Sequence, residues 1–370
     1  MIKVLHIIKS LGRGGAEMLL QETLLHHDKN QYEFHYIYFL PWKDQMVEGI
    51  RTRGGIVQNF PAKNNIVIML QAFKIVRYVR KHNIQLIHCH LPWAGFVGRL
   101  VHLLCKVPVV YTEHNKQERY HFITKTINRL TFNRQSAAVA VSADVATSIR
   151  EHIHPRIPIH TILNGVAVES FRRNEAEGIA LRNKLGIRED AVVIGTIAVF
   201  RFQKRLKEWI TVFKKLHSVY PNVHGIIVGD GILKEEIMQH LHASGMEPFI
   251  SMPGLQTEVK PWFSAMDIFM MSSVFEGLPI ALLEAMSMEC AVVSTDAGGV
   301  KEVIRDKEDG FLVPVDAWEQ LHDPLSRLVN NKALIREYGM RARTRINDAF
   351  SLKVMVEQTE ALYQSILKNK

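Results

Sequence analysis

Residues 268–296 read IFMMSSVFEGLPIALLEAMSMECAVVSTD. The run IFMMSS (268–273) is apolar and strand-like, and CAVVSTD (290–296) is a second such run. Between them Pro279 suits the first position of a helix, where its missing N–H costs nothing. From 279 to 288 that helix is apolar on nearly every face, with Glu284 and Ser287 as the polar residues. A helix of that kind is buried. Two apolar strands joined by a buried crossover helix imply a parallel sheet covered on both sides.

The same rhythm runs outward in both directions. The back half has AVVIGTIAVF (191–200), HGIIVGDG (224–231), PFISMPG (248–254) and GFLVPV (310–315); the front half has VLHII (4–8), FHYIYFL (34–40), LIHCH (86–90), PVVYTEH (108–114), AAVAVS (137–142) and IHTILNGV (159–166). Helical patterns separate them at 14–27, 67–82, 205–219 and 232–243. The expected fold class is α/β, as two facing Rossmann-like doubly wound domains. Residues 1–170 form the first and 186–351 the second, with a linker near 168–190. The tail 332–368 reads as two helices broken near Phe350 and Ser351.

A chain of 370 residues with 47% apolar and 22% charged residues is an ordinary globular protein of about two domains. No apolar run is long enough to cross a bilayer, and MIKVLHIIKS lacks the apolar core of a signal peptide. Cys89, Cys105 and Cys290 follow no framework spacing, so free thiols in a cytoplasmic protein are expected. The net charge of +9 is uneven: 25 Lys and Arg stand against 13 Asp and Glu over 1–185, and 21 against 24 over 186–370. A basic front half suits an anionic partner. Charge alone leaves nucleic acid, an anionic membrane face and a phosphate-bearing lipid open.

In open parallel sheets ligands sit beyond the carboxyl ends of the strands. The loops there carry the chemistry. SLGRGGAE (10–17) places Gly12, Gly14 and Gly15 before a helix whose free N–H groups suit phosphate, with a plain tight turn as the alternative. Its third-glycine position is Glu17, and the second strand ends without an acid, which disfavours a nicotinamide dinucleotide. FRFQKR (200–205) sets Arg201, Lys204 and Arg205 after a strand, where cations neutralise a diphosphate or merely begin a solvated helix.

Glu284 inside an apolar helix needs donors, and the two hydroxyls of a ribose supply them; a local amide or Arg is the other possibility. Glu276, in the loop above, would meet a second polyol of the same ligand. A nucleotide-diphosphate sugar has both ends. His114 closes a front-domain strand, and its neutral imidazole suits a sugar hydroxyl or a proton. Glu113 points to the opposite side of that strand. His88 and His90 share a face, but no third ligand has matching spacing for zinc. The segment 118–134 carries Phe122, Ile123, Ile127 and Leu130 near one side with Lys125, Arg129 and Arg134. It reads as an amphipathic helix of the fold, or as one lying on an anionic membrane.

These motifs together resemble the retaining glycosyltransferases of family 4, which have the GT-B fold. SLGRGGAE resembles that family's glycine-rich loop, YTEHN its His-bearing loop and LNGV its Asn-Gly turn. FRFQKR is similar to its Arg-x-x-Lys clamp, VGDG to its Gly-Asp-Gly turn, and SSVFEGLPIALLEAM to its E-x7-E segment. The resemblance covers almost the whole chain. It implies catalytic roles for His114, Glu276, Arg201 and Lys204. It implies donor contacts at Gly14, Gly15, Asn164, Gly229, Gly277, Leu278, Pro279, Ile280 and Glu284, with the base resting on Pro253, Gly254 and Leu255.

It further implies no metal and no cofactor, with a UDP- or GDP-sugar as substrate. The acceptor would be lipid-linked or a glycan of the cell envelope, with a possible peripheral contact at the inner membrane face and no nucleic acid. The final helix, 352–370, would cross back to the front domain. Phe202 stands where the family commonly has proline, and no glycine follows Lys204, so the choice between Lys204 and Arg205 stays open. A nucleotide-sugar 2-epimerase of the same architecture, and a sugar-nucleotide-binding protein without turnover, are the alternatives.

Overall fold

The computed structural model describes residues 1–12 and 14–368. The chain divides into two compact units, one of 1–165 with 352–370 and one of 166–351.

The first unit is built on a seven-stranded sheet: β1 (Ile2–Ile8), β2 (Tyr32–Tyr38), β3 (Ile56–Asn59), β4 (Leu86–His90), β5 (Val109–Glu113), β6 (Ala137–Ala140) and β7 (Ile159–Thr161). Their order is β3-β2-β1-β4-β5-β6-β7, and every pairing is parallel. The order reverses between β1 and β4. β3 (IVQN) carries too much polar character to announce itself in the sequence. The last helix, Leu352–Lys368, belongs to this unit. His27 Nδ1 meets Glu360 Oε1 at 2.7 Å, and His88 Nδ1 meets the Tyr363 hydroxyl at 2.5 Å. The preceding helix, Lys332–Ala349, ends at the break expected from Phe350 and Ser351.

The second unit carries β8 (Val192–Ile197), β9 (Val223–Val228), β10 (Ile250–Gly254), β11 (Ile268–Met271), β12 (Ala291–Thr295) and β13 (Phe311–Val313). Their order is β10-β9-β8-β11-β12-β13, again all parallel, and it reverses between β8 and β11. The core lies between strand side chains and covering helices. Trp209 is fully buried there, its indole N–H donating to the Met270 carbonyl at 3.0 Å.

The stretch 168–190 holds an ordered helix, Glu175–Lys184, packed within this unit rather than an open linker. A Cβ at Gly178 would come within 2.4 Å of the Ser264 carbonyl oxygen, so glycine sets that contact. The helix of the opening stretch runs Ile280–Ser287; Pro279 stands one position earlier than expected, as the extended N-cap residue. Cys89, Cys105 and Cys290 are free thiols.

Candidate functional site

Crevices at a sheet's reversal of strand order hold ligands in α/β proteins. In the second unit the loops at that point follow β8 and β11, and they hold Arg201, Lys204 and Glu276. Their backbones are knit together. Val274 N–H donates to the Gln203 carbonyl at 2.8 Å, and the Ser272 hydroxyl reaches the carbonyls of Lys204 (3.0 Å) and Arg205 (2.9 Å). Thr295 Oγ1 donates to the Ser273 carbonyl at 2.6 Å. On this frame Lys204 Nζ meets Glu276 Oε1 at 2.6 Å, and the Ser273 hydroxyl donates to the same oxygen at 2.6 Å. The pair keeps 18% and 11% side-chain exposure, so it borders solvent without lying in it.

The structure sends the two cations to different partners. Arg205 has a left-handed backbone, φ +47°, which turns its side chain to the Val315 carbonyl at 2.6 Å. Lys204 is the cation beside Glu276, and Arg201 lies exposed at the head of the same turn. Gly277 and Ile280 are half-buried, Leu278 and Pro279 buried. The first amides of the helix Ile280–Ser287 have no intrahelical acceptor and carry the positive end of its dipole. Glu284 lies one turn along, 6% exposed, on the side of the half-buried Ile280.

The VGDG turn braces this site. Gly229 has φ +140°, and a Cβ there would fall 1.9 Å from the Ala198 carbonyl oxygen. Its N–H is already used, donating to the Gly254 carbonyl at 3.0 Å. Phe200 N–H donates to the Asp230 carbonyl at 2.9 Å. Gly229 therefore packs the loop after β9 against the loop that carries Arg201. At the end of β10, Gly254 has φ +78° with open space around it, Gln256 Nε2 donates to the Pro253 carbonyl at 3.1 Å, and Leu255 is exposed.

In the first unit Gly14 caps the helix Gly15–Thr23 with no side-chain bond, and the Glu17 carboxylate lies where a Gly14 Cβ would point. The Ser10 hydroxyl donates to Glu17 Oε1 at 3.2 Å, so this loop carries a carboxylate of its own at the helix start. Asn164 is buried in the turn after β7. His114 follows β5. Burial pushes its imidazole down to about 4, and its Nε2 is buried with no hydrogen-bond partner among the described residues.

His114 lines a cavity with His6, His88, His90, Thr112 and Tyr363. His6 is the third imidazole that spacing could not reveal, because register, not sequence distance, pairs it with His88 across β1 and β4. The ligand atoms of His6, His88 and His90 lie within 4.8 Å of one another, a set able to approach one ion. They also satisfy each other: His6 Nδ1 and His90 Nε2 share a bond of 3.0 Å, and His88 is held by Tyr363 at 2.5 Å and Thr112 at 2.6 Å.

Burial holds these rings neutral, taking His88 to about 3. The unfolded chain protonates them near the ordinary 6.5, so it binds more protons than the folded chain in acid. Stability is therefore expected to fall as pH drops from 6.5 through 4. Urea midpoints between pH 7 and 4 check this; a midpoint that stays level or rises on acidification overturns it.

The segment 118–134 departs from the expected amphipathic helix of the fold. In the helix Phe122–Thr131 the polar Asn128 is fully buried, while Phe122 (77%), Ile123 (56%) and Leu130 (77%) are exposed. Sequence reasoning also missed Ser272 and Ser273, since hydroxyls after a strand carry no distinctive pattern.

Two family models match, described as Glycosyltransferase Family 4 over residues 13–170 and Glycosyl transferases group 1 over 179–345. The chain is 24% identical to N-acetyl-alpha-D-glucosaminyl L-malate synthase of Bacillus anthracis, over 80% of this chain and 79% of that one. It is 22% identical to UDP-Gal:alpha-D-GlcNAc-diphosphoundecaprenol alpha-1,3-galactosyltransferase of Escherichia coli, over 82% and 81%. Anabaena HepE, solved with UDP-glucose, superposes with a TM-score of 0.86 at 20% identity, covering 99% of this chain and all of HepE. Two knit loops at the reversal of a parallel sheet, two Rossmann-like units and two matching family models agree: the chain belongs to the family 4, group 1 glycosyltransferases and has their GT-B fold.

Proposed function

We propose that this glycosyltransferase takes a hexosyl group from a UDP-sugar, with retention of anomeric configuration, and delivers it to a hydroxyl of a lipid-linked acceptor in envelope glycan synthesis. The observation that carries the reading is the Lys204–Glu276 pair at 2.6 Å between the loops after β8 and β11. A diphosphate arriving there meets Lys204, Arg201 and the start of the helix Ile280–Ser287, which offset the charge that develops as it leaves. Glu276 turns to the hydroxyls of the sugar, Glu284 to the ribose, and Gly277, Leu278 and Ile280 to the phosphates. Without donor, Glu276 supplies the oxygen that balances Lys204.

The base rests on Pro253, Gly254 and Leu255. The first unit takes the acceptor, with His114 toward the transferred sugar and Gly14 and Gly15 toward the phosphates. The UDP-glucose complex of HepE and the UDP-Gal and diphosphoundecaprenol in the name of the E. coli relative support the nucleotide and the acceptor class. The family match gives the epimerase reading no support.

A thermal-shift panel of UDP, GDP, ADP and their sugars tests the donor. Saturation at 100 times Kd stabilises by about 2.7 kcal/mol, a clear rise in Tm for the right nucleotide. If no nucleotide raises Tm, or no UDP is released from any UDP-sugar, the reading is wrong. Exposed Phe122, Ile123 and Leu130 beside Lys125 and Arg129 suit an anionic bilayer that presents such an acceptor. Among the described residues no helix is long and apolar enough to cross one. Flotation with phosphatidylglycerol vesicles at low salt, lost in Phe122→Ser/Leu130→Ser, checks that contact.

A further inference from the structure

Glu113 immediately precedes His114 and is fully buried. Five donors converge on its carboxylate. Oε1 accepts the backbone N–H groups of His114 (3.1 Å) and Asn115 (3.3 Å) and the Tyr120 hydroxyl (2.5 Å). Oε2 accepts the Tyr111 hydroxyl (2.8 Å) and Gln117 Nε2 (2.5 Å). Burial raises the carboxyl above its ordinary range, while these hydrogen bonds pull the other way; the two backbone N–H groups and the Gln117 amide can only donate, so the site favours the anion.

The balancing charge is Arg99, 1% exposed, and it reaches Glu113 through two side-chain amides. Arg99 Nη1 donates to Asn128 Oδ1, Asn128 Nδ2 donates to Gln117 Oε1, each at 2.8 Å, and Gln117 donates to Glu113. The cation at one end and the anion at the other fix the direction of both amides. Arg99 is also stacked among the Tyr111, Phe132 and Phe96 rings, with centroids at 4.9, 5.1 and 5.6 Å.

We propose that Glu113 is a positioning residue: as a buried anion tied to Arg99 by this chain of amides, it clamps the His114 and Asn115 backbone and so sets the His114 imidazole for the transfer step. This rests on the reading that His114 meets the transferred sugar. Glutamine at 113 keeps the shape but turns an NH2 group toward donors, which frees the turn and lets the imidazole drift. Misplacement of a reacting group by about 1 Å is enough to cost on the order of a hundredfold in rate.

The test is a double-mutant cycle on UDP-sugar turnover with water as acceptor, joined to NMR of the His114 ring. Glu113→Gln is expected to lower kcat by roughly thirtyfold, to leave KM for the donor within about twofold, and to move the His114 Cε1–H resonance. In a His114→Ala background it is expected to cost nothing further, because its effect passes through His114. Effects that multiply in the double variant, or an unmoved His114 resonance, overturn the proposal.

If His114→Ala turns over at the wild-type rate, the reading of His114 has failed instead, and the proposal falls with it. Should Glu113→Gln not fold, Tyr120→Phe removes one donor from the same oxygen. A several-fold fall in kcat with a shifted His114 resonance then supports the clamp, and neither change rejects it.

Discussion

Lys204→Met is expected to lower UDP-sugar turnover by about 10²–10³, or roughly 3–4 kcal/mol of transition-state stabilisation, without lowering Tm appreciably. Lys204 is the cation that the loops after β8 and β11 hold beside Glu276, and in the proposed reaction the leaving diphosphate needs that charge most as its bond breaks. Glu276→Gln keeps the shape but removes the carboxylate proposed to meet the sugar hydroxyls, and a loss of similar size is expected. Arg205→Met is the control. Its guanidinium is spent on the Val315 carbonyl at 2.6 Å, so that variant costs stability and spares kcat. Steady-state UDP release measures all three. A Lys204→Met enzyme within tenfold of wild type, or an Arg205→Met enzyme slower than it, sinks the assignment.

Arg99→Met carries the largest expected loss of stability, about 3–5 kcal/mol in the first unit. The variant leaves Glu113 as an uncompensated buried anion. It also strips donors from Gln135 Oε1, Asn128 Oδ1 and Thr131 Oγ1, each now bonded at 2.8 Å. Arg99→Lys is expected to recover little, since an ammonium has neither the planar fork nor the face that stacks on Tyr111 and Phe132. Urea denaturation followed by the first unit's tyrosines gives the difference. A loss under about 1 kcal/mol would mean that the amide chain does not carry the charge balance.

Much of this was legible in the sequence. Apolar strand runs and alternating helices announce a parallel α/β architecture, because burial on both faces leaves that signature in local order. The loops beyond the strands were readable too, since topology places ligands there. The rest depends on where distant segments meet. Whether Lys204 or Arg205 serves the site turns on a left-handed backbone and on a carbonyl at residue 315. His6 joins His88 through strand register. The helix Phe122–Thr131 leaves Phe122, Ile123 and Leu130 exposed while Asn128 is buried in an amide chain, an arrangement that no periodicity shows. The stretch 168–190 looked like a linker because its polar surface hides how closely Gly178 lies on Ser264.

The bond from Gly229 to Gly254, with that from Phe200 to Asp230, welds three neighbouring turns into one rigid plate. Residues can be exchanged on its rim, as at the exposed Leu255, without disturbing the rest. An inserted residue in any of the three would tilt the other two. With the base resting on these turns as proposed, divergence in nucleotide choice along this lineage is expected to proceed by swapping side chains on a plate of constant length.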